Sequence, residues 1–170
     1  MQSYCSITRA ITPCPCGYYT DPRKACRCNP NKIANYMGKI SGPLLDRIDI
    51  HIELPSIKYK ELTDAREAET SSVIKTRVEQ ARLIQAGRFK AEGVFYNSQM
   101  DTKLVKKYCQ LDNEAKDLLQ LAMGELGLSA RAYGKILKVS RTIADLAGSE
   151  LIEARHISEA IEYRSLDRQW

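Results

Sequence analysis

The chain has 170 residues, 44% of them hydrophobic and 28% charged, with a formal net charge of +5. That much apolar material supports the core of one compact domain or slightly more. No apolar run approaches the ~18 residues of a membrane helix, and the N-terminus lacks a signal peptide's apolar stretch and cleavage site, so a cytoplasmic protein with no membrane partner is expected. The basic balance admits an anionic partner such as DNA, although Lys and Arg are spread along the whole chain.

In chain order, residues 1–58 are rich in Cys, Pro and Gly, and residues 59–170 read as helical and lack proline. Asn29-Pro30 starts a helix, with Asn as N-cap and Pro at the first helical position, and Ile33, Tyr36, Met37 and Ile40 follow at helical spacing. Ser41-Gly42-Pro43 interrupts, and Leu44-Leu45-Asp46-Arg47 reads as a short helical turn. Ile48, Ile50, Ile52 and Leu54 then alternate with Asp49, His51 and Glu53, the pattern of a strand with one apolar face. Pro55 and the residues after it form the hinge.

About five helices are expected beyond it. Thr70-Ser71-Ser72 caps a long one that turns Val73, Val78, Ala81 and Ile84 inward. A short one surrounds Leu104, Val105 and Tyr108. Asp112 opens another, with Ala115, Leu118, Leu119, Ala122 and Leu126 on its apolar stripe and Gly127 as its stop. Ser129 caps the next, which carries Tyr133, Ile136, Leu137, Ile143, Ala144 and Leu146 up to Gly148. The last holds Ile157, Ala160 and Ile161. A helical bundle buries such stripes together.

Two of the six cysteines, Cys5 and Cys109, stand alone, whereas Cys14, Cys16, Cys26 and Cys28 lie within fifteen residues. Cys-x-Cys, nine residues and Cys-x-Cys offers four soft thiolates, enough for a closed tetrahedral zinc site. One intervening residue is tighter than the usual structural pair, and free thiols or disulfides are the alternatives, the latter disfavoured in a reducing cytosol. His51, assigned to the polar face of the strand, and His156, near a helix start, read as structural bystanders, since neither has a base–nucleophile arrangement beside it.

Three segments occur in order: Pro13-Cys14-Pro15-Cys16-Gly17 with Cys26-Arg27-Cys28, then Ser41-Gly42-Pro43-Leu44-Leu45-Asp46-Arg47-Ile48-Asp49, then Leu128-Ser129-Ala130-Arg131-Ala132-Tyr133 running on to Arg141-Thr142-Ile143-Ala144-Asp145-Leu146. In this order the chain resembles the magnesium-chelatase-like AAA+ ATPases of the competence type, over about Pro13 to Asp167. The resemblance implies a mainly α fold. Residues 1–58 would be the tail of the ATPase core, a small α/β remnant with a cysteine-rich insertion, and residues 59–170 a helical AAA+ lid bundle. It further implies a hexameric ATP-driven motor that acts on DNA, as a helicase or in branch migration during recombination or transformation.

The same resemblance assigns Arg47 as an arginine finger acting in a neighbouring subunit's site, and Arg131 as the sensor-2 arginine of the lid. The plain alternatives are a surface Arg47 paired with Asp46 or Asp49, and a solvated or ion-paired Arg131. Arg141 lies ten residues further, close to three turns, so it is expected on nearly the same face as Arg131, assisting there or forming a salt bridge within the bundle. The sequence has no G-x-x-x-x-G-K-[ST] loop and no acidic run to hold magnesium. ATP and Mg2+ would therefore bind only with an upstream core, and the chain would be no ATPase alone. Where the family carries Asn as sensor 1, this sequence has Thr12. Two rival functions remain at this point: a stand-alone zinc- or DNA-binding module, and a chelatase-type motor that remodels a metal-insertion enzyme.

Overall fold

The computed structural model describes residues 10–54 and 68–164. They fall into two compact units, one holding residues 10–42 with Leu54, the other holding 43–53 with 68–164. The expected hinge after Pro55 lies outside the described residues. Among the described residues the secondary structure is helical, with a single isolated parallel bridge, and no helix is long and apolar enough to cross a membrane.

In the first unit, helix α1 spans Pro30–Met37, started by Asn29, whose side chain accepts the Asn31 N–H at 2.9 Å. The remainder is loop. The second unit takes in most of the one-turn helix α2 (Gly42–Leu45) and then α3 (Ser71–Arg88), a 3-10 turn (Asn97–Gln99), α4 (Thr102–Tyr108), α5 (Asn113–Glu125), α6 (Ala130–Leu146) and α7 (Ala154–Glu162). Asp101, Asp112 and Ser129 cap α4, α5 and α6 by accepting the N–H of Leu104, Ala115 and Ala132. Each cap satisfies a donor the helix itself cannot use.

The apolar stripes of α5, α6 and α7 form one core with Phe89, Met100, Leu104 and Val105; Ala115, Ile136, Ala144, Ile152 and Ile157 are fully enclosed in it. Ile152 N–H donates to the Gln110 carbonyl and Asp112 N–H to the Ile152 carbonyl, so the α4–α5 and α6–α7 connections are stitched together.

Two sequence expectations fail here. The alternating segment Ile48–Leu54 forms no strand, and its apolar residues share no buried face: Ile52 is 68% and Leu54 86% exposed, whereas His51 is 6% exposed. Its backbone groups go to single contacts instead of a ladder. His51 N–H donates to the Tyr163 carbonyl at 2.7 Å, and the Ile48 carbonyl accepts from Arg164 at 2.6 Å. Helix α3 likewise leaves Val73, Ile74, Val78 and Ile84 exposed and buries only Ala81 and Gln85. Those two share a face with Arg88, at spacings of four and three residues, and that face docks through polar groups.

The docking point is Asp145, fully buried on α6. Its carboxylate accepts both terminal nitrogens of Arg88, the amide of Asn97 at 2.8 Å and Nε of Arg141 at 3.1 Å. Gln85 Oε1 accepts the Asn97 N–H at 3.1 Å, which fixes the 3-10 turn against α3. At the end of α6, Gly148 adopts φ +68°, and Gly148 and Ser149 return their N–H groups to the carbonyls of Asp145 and Ala144, a left-handed helix stop that suits glycine. That turn presents the carbonyls of Ser149 and Glu150 to the remaining nitrogens of Arg141.

Removing the Asp145 carboxylate strands two guanidinium groups. Asp145→Ala is therefore expected to destabilise the helical unit by about 3–5 kcal/mol, the cost of breaking a buried ion pair from one side. Urea melts followed by helix content check this; a change below about 1 kcal/mol would show that the network contributes little.

Candidate functional site

The cysteine centre belongs to the first unit. Pro13 and Pro15 stiffen the chain around Cys14, and a turn closed by Gly17 N–H on the Cys14 carbonyl at 3.0 Å, with Gly17 at φ +80°, folds Cys16 back beside Cys14. Thr12 fastens the entry to this turn: its hydroxyl donates to the Cys14 carbonyl and bonds the Tyr36 hydroxyl at 2.9 Å. Thr12 thereby ties the loop to α1.

The sulfurs of Cys14 and Cys16 lie 3.3 Å apart, Cys14 and Cys26 3.7 Å, and Cys16 and Cys26 3.6 Å. All four Sγ atoms, that of Cys28 included, fall within 4.8 Å of one another. Four thiolates at ~2.3 Å around a tetrahedral zinc stand about 3.8 Å apart, so the quartet has the span of such a site. The tight Cys-x-Cys spacing is no obstacle, because each pair contributes across the loop to the other. The thiols are unequal. The Tyr18 N–H, then the neighbouring Cys14 thiol, lower Cys16 to about 6, which supplies a thiolate at neutral pH. At Cys26 the Cys28 N–H pulls down, but burial and the surrounding Cys16, Cys14 and Cys28 sulfurs outweigh it and push the thiol to about 12. A cation placed among the four would favour the thiolate form of the sulfurs that ligate it.

The arginines gather in the second unit. Arg131, in the first turn of α6, donates to Asp46 Oδ2 at 2.6 Å, and the Ser129 hydroxyl reaches the other oxygen of Asp46 at 3.3 Å. The Arg131 hydrogen bond, assisted by its charge, holds the Asp46 carboxyl below the usual range. Arg131 remains 61% exposed, so the pair is worth at most about 1 kcal/mol and exchanges readily for a stronger anion. Arg47 follows in the turn after α2, exposed, and among the described residues no group engages its guanidinium. Of the alternatives weighed from sequence, the ion pair with Asp46 or Asp49 is thus absent for Arg47, while Asp46 pairs with Arg131. The structure brings these two arginines onto consecutive links, Arg47 next in chain to the carboxylate that holds Arg131.

Arg141 is placed elsewhere. Ten residues are about 1000° of helix, some 80° short of three full turns, and that offset carries Arg141 from the exposed face of Arg131 into the core. It is 1% exposed and spends its donors on Asp145, Ser149 and Glu150, which is the salt bridge within the bundle. His156 is buried too, its Nδ1 accepting the Glu153 N–H at 3.0 Å as part of the cap of α7, and burial lowers its pKa.

Sequence reasoning passed over two residues at this site. Lys135 donates to the Arg47 carbonyl at 2.5 Å and pairs with Asp49 at 2.7 Å, and Arg164, 2% exposed, holds the Ile48 carbonyl. Lys135 was within reach of pattern analysis, being one turn beyond Arg131 on the same helix face. Arg164 carried no local signal.

Residues 68–164 match the family model described as magnesium chelatase, subunit ChlI C-terminal, and residues 2–62 match magnesium chelatase, subunit ChlI. Competence protein ComM of Haemophilus influenzae is 38% identical over 163 residues, covering 95% of this chain and 31% of that protein. The uncharacterized protein YifB of Escherichia coli is 36% identical over 166 residues, again 95% of this chain and 31% of that protein. The chain thus spans about a third of the length of these curated relatives. With both family models matching in order, and with similarity to a competence protein along nearly all of its length, the chain belongs to the magnesium-chelatase-like family of competence type.

Proposed function

We propose that this chain is the C-terminal part of a hexameric AAA+ ATPase motor that acts on DNA in branch migration during recombination or transformation. The observation that carries the reading is the link Arg47–Asp46–Arg131: a guanidinium that no described residue engages, adjacent to a carboxylate that holds the lid's own arginine. Arg47 serves as the finger in trans, where its charge and planar donors meet the negative charge developing on a transferred γ-phosphoryl group. Arg131 serves as sensor 2, its weak pair with Asp46 giving way to a phosphate. ATP and Mg2+ are held by an upstream core with a P-loop. The similarity to a protein named for competence, over 95% of this chain, favours the DNA motor over a chelatase-type motor and over a stand-alone zinc- or DNA-binding module.

In the complete motor, Arg47→Ala is expected to lower kcat by about a hundredfold or more with little change in nucleotide affinity, because a finger acts in the transition state. Arg131→Ala is expected to weaken nucleotide binding as well. Mixing the Arg47→Ala protein with a P-loop variant is expected to restore part of the activity, since some interfaces then pair an intact P-loop with an intact finger. ATPase rates and nucleotide affinities test the assignment. A rate within about twofold of wild type for Arg47→Ala, under ~0.5 kcal/mol in the barrier, overturns it.

The cysteine quartet fits a structural Zn2+, which would stiffen a loop that has little core of its own. Purified protein is expected to carry about one zinc per chain. Chelation is expected to loosen residues 10–42 while the helical unit keeps its circular dichroism. Metal analysis near zero, with Cys14, Cys16, Cys26 and Cys28 titrating freely in the folded protein, would refute the site.

A further inference from the structure

Arg47 is held by its backbone, and among the described residues no group engages its side chain. Arg47 N–H donates to the Leu44 carbonyl at 3.0 Å within the turn after α2, and the Arg47 carbonyl accepts from Lys135 Nζ at 2.5 Å. Both peptide groups that flank its Cα are therefore tied, and together they set the direction in which the side chain leaves the backbone. The neighbouring residues are tied in turn. Asp46 is bound by Arg131 and Ser129, the Ile48 carbonyl by Arg164, Asp49 by Lys135, and His51 N–H by the Tyr163 carbonyl.

Among these contacts, Lys135 alone reaches the Arg47 peptide from outside the segment. Its side chain is only 16% exposed, while that of its partner Asp49 is 63% exposed. A long cationic side chain is thus largely withdrawn from solvent with its ammonium on a backbone carbonyl, at an entropy cost that a solvated lysine avoids. We propose that Lys135 is a positioning residue for Arg47, fixing the peptide from which the guanidinium projects. The proposal rests on the reading of Arg47 as an arginine finger. A finger must meet a transition state in a neighbouring subunit, and a misplacement of about 1 Å there costs on the order of a hundredfold in rate.

The test is steady-state ATP turnover by the complete motor with Lys135→Met, Lys135→Arg and Arg47→Ala, each checked for helix content. Lys135→Met is expected to lower kcat by about tenfold or more and to leave the KM for ATP within about twofold. Lys135→Arg, which keeps a long cationic donor, is expected to recover most of the loss. A residue that merely stabilised the fold would give no such separation of kcat from KM and no selective rescue. If Lys135→Met loses helix content, Lys135→Gln is read in its place, being polar but too short to span to the carbonyl. If Arg47→Ala is slow while the Lys135 variant that folds turns over within about twofold of wild type, the positioning role is wrong and the finger stands. If Arg47→Ala itself turns over normally, the finger reading has failed and the positioning role falls with it.

Discussion

One buried carboxylate decides how the helical unit is put together. Within Ser71–Arg88 helix α3 buries only Ala81 and Gln85, so its apolar anchorage rests on Phe89, the core residue that caps its end. Arg88 beside it adds a polar anchor by sharing Asp145 with Arg141 and Asn97. Two arginines, an amide and two turn carbonyls leave few donors or acceptors in this network unanswered, which is the condition under which a buried polar cluster is tolerated. Apolar contacts would accept several registers of α3 against α6. A carboxylate with fixed partners accepts one.

The candidate site inherits that rigidity through α6. Arg131 and Lys135 lie one turn apart on its outer face, and Arg141 and Asp145 lie on its inner face. The helix thus carries the structural ion pairs on one side and the contacts to Asp46, Arg47 and Asp49 on the other. Residues 43–53 have no helix or sheet ladder beyond α2 to define them, so their conformation is borrowed from these contacts and from Arg164.

Much of this was legible in the sequence. The caps Asn29, Asp112 and Ser129 and the stop at Gly127 are local signals, and the periodicity of α5, α6 and α7 marks most of their buried faces, although Tyr133 and Leu146, expected on the α6 stripe, are exposed. The cysteine quartet could be named from spacing. What escaped were features that depend on distant partners. The apolar alternation of Ile48–Leu54 satisfies every local rule for a strand, yet strand formation needs a neighbouring ladder, and the backbone groups here were claimed by Tyr163 and Arg164, more than a hundred residues away in sequence. The stripe on α3 was misread because Gln85 and Arg88, polar by type, form the buried side of that helix, and no periodicity of hydrophobic residues can announce a polar seam. Arg141 was misplaced by arithmetic: treating ten residues as three turns discards about 80° of rotation, enough to separate a surface from a core.

The division of labour among the five cations Arg47, Arg88, Arg131, Lys135 and Arg141 follows from how completely each is matched. Arg88 and Arg141 meet a buried carboxylate that a mobile anion could not displace without exposing the core, so they are fixed. Arg131 meets Asp46 at the surface, where water screens the attraction and a multiply charged phosphate competes well. Lys135 divides its charge between an exposed carboxylate and a backbone carbonyl, which fixes position without demanding a particular charge state of its surroundings. Arg47 is matched by no group among the described residues, although Asp46 and Asp49 flank it within two positions. Those two carboxylates are occupied by Arg131 and Lys135. The two cations of α6 thus engage the acids nearest to Arg47 in the chain.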